Sequence, residues 1–365
     1  MRGSFAPLRM TGIVDLYAMT NSHPNYLVIR LSSIGDIVHA LPAVSALGET
    51  FPWARITWVI EDRYARLLQG NPFVSRVITV DTLGWRNHLA ARDTWARILS
   101  TIRRLRDSEF DAVLDFQGLV KSGVIARLCR SRSRVGFASP WLKEAMAASF
   151  YNQRVHATGA KHAIQENLAL VASLGAHSSA WRFPLPCSQG DKEYIDQLLA
   201  RGGVAEFMIL NPGGGWVRKR WPPAYYAELI RRLGPIFSGS FILTGSASEA
   251  DVIRKIVIAS GSARARYFPT SIEQFIALAR SAKLFVGGDT GPLHLAAALG
   301  APIVALYGPT DPARNGPFSQ ADVVLSTHQP VNHTRRGRNP RFLEEIPVSD
   351  ALEAVRLRLT RADEE

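Results

Sequence analysis

Short apolar runs alternate with helical patterns along this chain, and that alternation limits the fold more than any other feature. In the first half, apolar runs typical of buried strands cover residues 26–31, 56–60, 77–80 and 112–115. Apolar residues at helical spacing follow at residues 37–47, 64–68, 89–105, 119–128 and 163–174. Strands that alternate with helices form a parallel sheet covered on both faces. The pattern predicts an α/β fold of the doubly wound, Rossmann-like type.

The same alternation restarts at residue 207. Predicted strands 207–211, 241–244, 284–286 and 303–307 interleave with predicted helices 225–233, 250–259, 272–281 and 293–299. Residues 183–190 between the two blocks are rich in helix breakers, which marks a linker. A chain of 365 residues also exceeds what one core comfortably holds. We expect a flexible tail over 1–24, domains over 25–185 and 186–345, a mobile basic loop at 330–341, and a closing helix and tail over 346–365.

Residues 285–300 predict a buried strand, a glycine turn and a helix. Glycines allow close approach of a ligand to the backbone, and Pro292 suits the first turn of a helix. The free N–H groups at such a helix start attract an anion. The turn therefore predicts a phosphate site, although an ordinary turn in which Asp289 or Thr290 only caps the helix fits the same pattern.

Three further loops follow predicted strands of the second block. Residues 213–215 form a glycine loop with Lys219 and Arg220 behind it, and Glu249 lies just past the next strand, where a carboxylate can bind ribose hydroxyls. The fourth loop covers residues 308–312. Because carboxyl ends of parallel strands meet at one edge of a sheet, these loops predict a site for a nucleotide diphosphate.

The sequence lacks the motifs of two common classes of nucleotide-binding enzyme. No P-loop spacing and no G-x-G-x-x-G follows a predicted strand, which argues against a triphosphatase or a Rossmann dehydrogenase. There is also no Asp-x-Asp pair, so we expect no metal ion at the diphosphate. Lys219 and Arg220, with the amides of Thr290 and Gly291, could neutralise it instead. The alternative for Lys219 is a solvent-facing lysine beside a helix start.

The charge of +12 is uneven along the chain. Residues 1–185 carry 22 Lys and Arg against 13 Asp and Glu, whereas residues 186–365 carry 21 against 18. We therefore expect the first half to bind an anionic partner, which could be nucleic acid, an anionic lipid surface or a phosphorylated acceptor. The alternative is a basic surface that is only solvated. Aromatic residues are not interleaved with the basic clusters, which disfavours nucleic acid. Two cysteines without metal-ligand spacing favour a reducing cytoplasm, and no apolar run is long enough to span a membrane.

Several of these segments together resemble glycosyltransferase family nine, the bacterial lipopolysaccharide heptosyltransferases. The resemblance rests on residues 32–39, 115–122, 147–152, 162–163, 219–222 and 285–294, and residues 115–122, 147–152 and 162–163 are similar to the heptosyltransferase I branch. It implies a GT-B fold, with two Rossmann-like domains facing across a cleft. It also implies an inverting, metal-independent transfer from ADP-heptose to the Kdo region of the inner core, at the inner face of the bacterial inner membrane.

The resemblance also assigns roles to residues. Asp36 is the expected general base, with a helix N-cap as the alternative, and Lys219 is expected to contact the departing diphosphate. The expected donor-binding residues are Gly214, Lys219, Arg220, Glu249, Asp289, Thr290, Gly291 and His294. The expected acceptor-binding residues are Ser33, Gly35 and Gln117, together with Arg63, Arg86, Lys121 and Lys143, which are chosen because of the surplus of positive charge on the first half. For His294, buried packing is the alternative, and each basic acceptor residue could simply be solvated.

Other functions stay open at this level. A heptosyltransferase II-like enzyme, or a family member using another nucleotide sugar or acceptor, would show the same segments. A two-domain nucleotide-sugar epimerase shares the architecture but needs no acceptor. A non-catalytic sugar-nucleotide binder would be marked by loss of the base, and Asp36 is present.

Overall fold

Two six-stranded parallel sheets form the framework of the chain. The computed structural model describes residues 23–88, 90–215, 217–327 and 342–364. The strand orders are β3-β2-β1-β4-β5-β6 and β12-β11-β10-β7-β8-β9, and every neighbouring pair is parallel. Each sheet starts in the middle and grows outward to both edges, as in Rossmann folds. The prediction of two doubly wound parallel sheets is therefore confirmed.

The strands are β1 (Asn25–Ile29), β2 (Arg55–Glu61), β3 (Arg76–Val80), β4 (Glu109–Asp115), β5 (Arg130–Phe137), β6 (Gln153–Val155), β7 (Phe207–Asn211), β8 (Ser240–Leu243), β9 (Ala265–Tyr267), β10 (Leu284–Gly288), β11 (Ile303–Tyr307) and β12 (Val323–Ser326). The described helices are α1 (Ile34–Thr50), α2 (Thr82–Asn87), α3 (Arg92–Arg106), α4 (Val120–Leu128), α5 (Ala163–Ala172), α6 (Gln189–Arg201), α7 (Pro223–Leu233), α8 (Ala250–Ser260), α9 (Ile272–Ala279), α10 (Gly291–Ala298), α11 (Pro312–Asn315) and α12 (Val348–Glu364). Short 3-10 segments cover Asp62–Leu68, Ser139–Trp141, Ala145–Phe150, Val217–Lys219, Ala247–Glu249 and Phe342–Glu345.

Burial explains which strands the sequence reveals. The central strands β7, β10 and β11 are buried along their whole length, because helices cover both faces of the sheet. The strands β5, β6, β9 and β12 were not predicted. β5 reads Arg-Ser-Arg-Ser-Arg-Val-Gly-Phe and is buried only over its last three residues, so it lacks the apolar run that marks a strand. The other three lie at sheet edges and have three or four residues.

Two helix predictions need correction, and some observed helices were not predicted. The helix predicted over 89–105 begins at Arg92, and a separate helix α2 precedes it. Residues 64–68 belong to a 3-10 segment rather than to an α-helix. Helix α6 was not predicted, and it takes up the last two residues of the expected linker 183–190. Its start is fixed by the Ser188 side chain, which accepts a hydrogen bond from the amide of Asp191 at 3.0 Å.

The predicted closing helix is observed as α12, and it packs against α7 and the strands β10, β11 and β12. It therefore completes the cover of the second sheet. The expected tail lies outside the described residues up to residue 22, and so does the expected loop 330–341. The predicted domain boundaries stay predictions.

The two halves meet through α1, which follows β1, and α10, which follows β10. A Cβ atom on Gly35 of α1 would lie 2.3 Å from the ring of His294 of α10, and one on Gly291 would lie 2.9 Å from Ile34. Only glycine permits these approaches. Because both helices start at carboxyl ends of strands, the two carboxyl edges face each other across the interface.

None of the helices in the described ranges combines the length and the apolar character that crossing a bilayer requires.

Candidate active site

Asp289, at the end of β10, is the centre of a buried polar cluster on the second half. Its Oδ1 contacts Nε2 of His294 at 2.9 Å, and its Oδ2 accepts hydrogen bonds from Thr310 Oγ1 at 2.7 Å and from the Lys219 ammonium. Burial acts to raise the pKa of this carboxyl, but His294 and Lys219 outweigh it and hold the pKa well below its usual range. Asp289 is therefore ionised at neutral pH.

Lys219 reaches this cluster because of a close backbone approach. A Cβ atom on Gly288 would lie 2.5 Å from the carbonyl oxygen of Lys219, so the glycine lets the two segments touch. The ammonium also donates to the backbone oxygen of Asp289 at 3.2 Å. The next residue, Thr290, is the N-cap of α10, and within the described part of the chain its buried Oγ1 has no hydrogen-bond partner. A cation and a helix N-terminus thus adjoin at the end of β10.

Glu249 holds the glycine loop that follows β7. Its Oε1 accepts from the amide of Gly214 at 2.8 Å, and its Oε2 accepts from the amide of Ser246 at 2.7 Å. Burial acts to raise the pKa of Glu249, but the Ser246 and Gly214 donors together lower it. Arg220 donates from Nε to the Gly214 oxygen at 2.7 Å, so the predicted donor residues Gly214, Arg220 and Glu249 lie together.

Beyond Glu249 an open cavity of about 530 Å³ lies where β8 and β9 end. Gly245, Ala247, Tyr267 and Thr270 are among the residues that line it. The Arg254 guanidinium, which also lines the cavity, lies 5.7 Å from the centroid of the Tyr267 ring. The cavity continues the predicted diphosphate edge away from the interface.

Asp36, on the first half, is both a helix-capping residue and an ion-pair partner. Its Oδ2 accepts from the amide and from the hydroxyl of Ser33, each at 2.9 Å, and its Oδ1 pairs with the Arg30 guanidinium. Burial acts to raise the pKa of Asp36, but Arg30 and Ser33, with a smaller effect of Lys143, hold it well below its usual range. The side chain still keeps 39% of its surface accessible.

A buried network fixes the loop that carries Arg30 and Ser33. Asp115, at the end of β4, accepts hydrogen bonds from the amide of Gln117 at 2.9 Å and from the hydroxyl of Tyr151 at 2.7 Å. The Gln117 side-chain oxygen accepts from the amides of Leu31 at 2.9 Å and Ser32 at 3.2 Å. Burial raises the pKa of Asp115, while its donors oppose this. Gln117, predicted to bind the acceptor, supports the loop through this oxygen.

Three histidine rings line the interface between the halves. The ring of His39 lies edge-on to His294 at 4.7 Å and to His162 at 5.2 Å between centroids. His162 contacts the backbone oxygen of Gly316 at 3.0 Å through Nε2. The pKa of His39 lies well below its usual value, mainly because the ring is buried and to a smaller extent because of His294 and His162. The His39 ring is therefore neutral where it packs between the other two rings.

The basic residues predicted to bind an acceptor are spread around the carboxyl edge of the first sheet. Lys121 donates to Thr82 Oγ1 at 3.2 Å and lies 3.8 Å from the buried Glu61 carboxylate. The Arg63 guanidinium stacks over its neighbour, the ring of Tyr64. Arg86 and Lys143 are exposed. Lys143 is near enough to Asp36 to help lower the pKa of that carboxyl. Contact of the four cations with an acceptor stays a prediction.

A chain of contacts crosses the interface from one predicted catalytic residue to the other. Asp36 adjoins Gly35, which touches His294; His294 contacts Asp289, which pairs with Lys219. Asp36 and Lys219 thus lie on opposite sides of the contact between α1 and α10. Gly35 and His294 pack against each other at the interface, and buried packing was the alternative given above for His294. Contact of His294 with the donor and of Gly35 with the acceptor stays a prediction.

The sequence assigned no role in the site to several residues that build it: Arg30, Thr310, Asp115, Tyr151, His39 and His162. Arg30 had a visible signal, since it is a charged residue directly after the apolar run of β1. His39 and His162 lie in segments that carry the family resemblance, but no sequence pattern shows that their rings meet, because that depends on the packing of α1 against α5. Among the described residues there is no group of three or more His, Cys, Asp or Glu side chains placed to hold a metal ion.

Comparisons with known proteins give consistent matches over most of the chain. The sequence model of glycosyltransferase family 9 (heptosyltransferase) matches residues 98–341. Lipopolysaccharide heptosyltransferase 1 of Pseudomonas aeruginosa is 31% identical over 309 residues, which are 83% of this chain and 84% of that protein. Lipopolysaccharide heptosyltransferase 1 of Escherichia coli K12 is 29% identical over 302 residues, which are 82% of this chain and 92% of that protein. The structure of E. coli heptosyltransferase WaaC with ADP superposes with a TM-score of 0.75 at 26% identity, covering 92% of this chain and 99% of that one.

Proposed function

Because the chain belongs to glycosyltransferase family 9, the heptosyltransferases, we propose that it transfers heptose from ADP-heptose to the Kdo region of the lipopolysaccharide inner core. The family resemblance drawn from the motifs is thereby confirmed, and the two facing Rossmann-like sheets agree with the expected GT-B fold. The proposed substrates are supported by the names of the relatives and by a WaaC structure with ADP-2-deoxy-2-fluoro heptose.

The observation that carries the proposal is the path of contacts from Asp36 to Lys219 across the gap between the two sheets. A single displacement needs a proton acceptor on one side of the anomeric carbon and positive charge on the other. Asp36 supplies the first from the first half. Lys219 and the N-terminus of α10 supply the second from the other half. Such a reaction inverts the configuration at the anomeric carbon.

In this mechanism the acceptor hydroxyl attacks the anomeric carbon while the bond from that carbon to the diphosphate oxygen breaks. Asp36 takes the hydroxyl proton, and ADP leaves with the bonding electron pair. Arg30 keeps Asp36 ionised, which makes it a weak base. A weak base suffices when the proton is lost late, because the attacking oxygen becomes acidic as its new bond forms.

The proposed donor position runs along the carboxyl edge of the second sheet. The diphosphate lies at Lys219, Thr290 and Gly291, and the ribose lies beside Glu249. The adenine enters the 530 Å³ cavity at β8 and β9. Lys219, Arg220 and the helix N-terminus can neutralise the diphosphate, so the proposed transfer needs no metal ion. The acceptor would approach Asp36 from a lipid A anchor at the inner face of the inner membrane.

A substrate panel tests the function. The protein is incubated in EDTA with ADP-heptose, UDP-sugars or GDP-sugars, with and without Kdo-lipid A, and nucleotide release is measured. Release that requires both ADP-heptose and Kdo-lipid A is expected. Turnover only with an already heptosylated core would indicate a heptosyltransferase II-like enzyme. Conversion of the sugar nucleotide without any acceptor would indicate an epimerase and overturn the proposal.

A further inference from the structure

Helix α3 presents two large apolar side chains to solvent. Trp95 and Leu99 are 53% and 52% exposed, while Thr94, Thr101 and Leu105 face the protein. The two exposed residues are four positions apart, so they are neighbours on one helix face. Apart from Ala96, the other exposed positions of this helix are polar.

Arginines surround this apolar pair. Helix α3 contains five arginines and one acidic residue, Asp93. Arg103 and Arg106 follow Leu99 by four and seven positions, which places them on the same side of the helix as Trp95 and Leu99. Both are exposed. A helix with aromatic and aliphatic residues beside arginines has the composition of one that lies at a lipid surface.

The same surface continues toward the candidate active site. Leu83 of α2 is 44% exposed, and α2 packs against α3. Its neighbour Thr82 accepts a hydrogen bond from Lys121 at the carboxyl edge of the first sheet, the edge at which Asp36 lies. Leu83, Trp95, Leu99, Arg103 and Arg106 form the surface here called the α2–α3 face. Its Leu83 and Trp95 end lies toward the carboxyl edge of the first sheet, because α3 runs from the end of β3 to the start of β4.

We propose that the α2–α3 face docks on an anionic phospholipid bilayer. The three apolar side chains enter the headgroup region, and the arginines contact lipid phosphates. Charge complementarity selects an anionic lipid surface, because the helix carries a large excess of positive charge. The inference rests on the proposed function for one point only, namely that docking brings a membrane-held acceptor to Asp36.

Vesicle sedimentation tests the docking without requiring catalysis. The full-length protein is mixed with vesicles of 70% phosphatidylcholine and 30% phosphatidylglycerol, and with vesicles of phosphatidylcholine alone. The wild type should sediment with the first and much less with the second. Leu99→Glu should lower the partition coefficient by about tenfold or more, since it removes an inserted side chain and adds a repelled charge.

Ile258→Glu is the matched control. Ile258 is a 78% exposed aliphatic residue on α8 of the other half, so the variant makes the same chemical change away from the α2–α3 face. It should sediment like the wild type. Equal sedimentation of Leu99→Glu and the wild type would overturn the proposal. So would an equal loss in Ile258→Glu, or a change of oligomeric state by Leu99→Glu without a loss of vesicle binding.

The proposed function is separated from docking by a second readout. Transfer to a water-soluble Kdo acceptor without lipid chains should be equal in the wild type and Leu99→Glu. Transfer to Kdo-lipid A in the vesicles should fall with the loss of sedimentation. Vesicle binding without any transfer would refute the proposed function and leave the docking face standing, whereas an unchanged rate on vesicles would overturn the docking face.

Discussion

The contact between Gly35 and His294 makes Gly35→Ala the most informative single substitution at the interface. The added Cβ would lie 2.3 Å from Cδ2 and 2.9 Å from Nε2 of the imidazole. Carbon atoms normally approach to about 3.5–4.0 Å, so the ring would have to move by more than about 1 Å. It cannot do so freely, because Asp289 holds it at 2.9 Å and His39 packs against it.

The expected cost follows from these two restraints. Overpacking of a dense contact costs about 1–3 kcal/mol. Loss of a hydrogen bond to a charged group costs about 1.5–3 kcal/mol. The two costs do not add in full, because a shift of the His294 ring that relieves the overpacking is the same shift that weakens its hydrogen bond to Asp289. We therefore expect Gly35→Ala to destabilise the protein by about 2–4 kcal/mol. The displaced ring would also leave Asp289 without one partner, so transfer should slow.

The assay is calorimetric unfolding of Gly35→Ala alone and in a His294→Ala background. Gly190→Ala is the matched control, since Gly190 is likewise the second residue of a helix and only Ser188 Oγ approaches its Cβ position, at 4.0 Å. This control should be neutral or stabilising by up to about 1 kcal/mol. Without the imidazole, Gly35→Ala should become nearly neutral. A penalty of the same size with and without His294 would refute the assigned contact.

Two further substitutions test the charges of the site. Arg30→Met removes the positive charge beside Asp36 but leaves the burial, so the pKa of Asp36 should rise. Asp36 accepts a proton only when it is ionised. The acidic limb of the pH dependence of kcat/KM should therefore move to higher pH by about one to three units. A pH profile identical to that of the wild type would contradict this role of the ion pair. Lys219→Met should weaken ADP binding in EDTA by about tenfold or more, as measured by titration calorimetry, because it removes a charged donor. Lys255→Met, on the exposed face of α8, should bind ADP like the wild type, and equal affinity in Lys219→Met would refute its contact with the diphosphate.

Burial on both faces decided how much of the fold could be predicted. Strand β11 is apolar along its length, and β7 is apolar up to its last residue, Asn211. Both strands are buried on both faces, so their predicted and observed limits coincide. Strand β5 alternates arginine and serine and is held by pairing with β4 and β6, which no local pattern shows. Helix α2 was missed because none of its six residues is buried, so it has no apolar face to show in the sequence.

The candidate site was predictable where a loop follows a buried strand. Asp36, Lys219, Glu249 and Asp289 all lie at carboxyl ends of strands, where the parallel topology gathers them. The position of His294 against Gly35 was not predictable, because it depends on how the two halves pack. The same holds for Asp115 and Tyr151, which meet only through a 2.7 Å hydrogen bond between segments 36 residues apart.

The central claim is that Asp36 accepts the proton while the other half of the molecule binds the donor. The most direct measurement compares ADP-heptose affinity and single-turnover transfer to Kdo-lipid A in the wild type and in Asp36→Asn. Asparagine can keep the hydrogen bonds from Ser33 but cannot take a proton. The account predicts unchanged donor affinity with transfer slowed by about 10²–10⁴-fold. Transfer at the wild-type rate would contradict it.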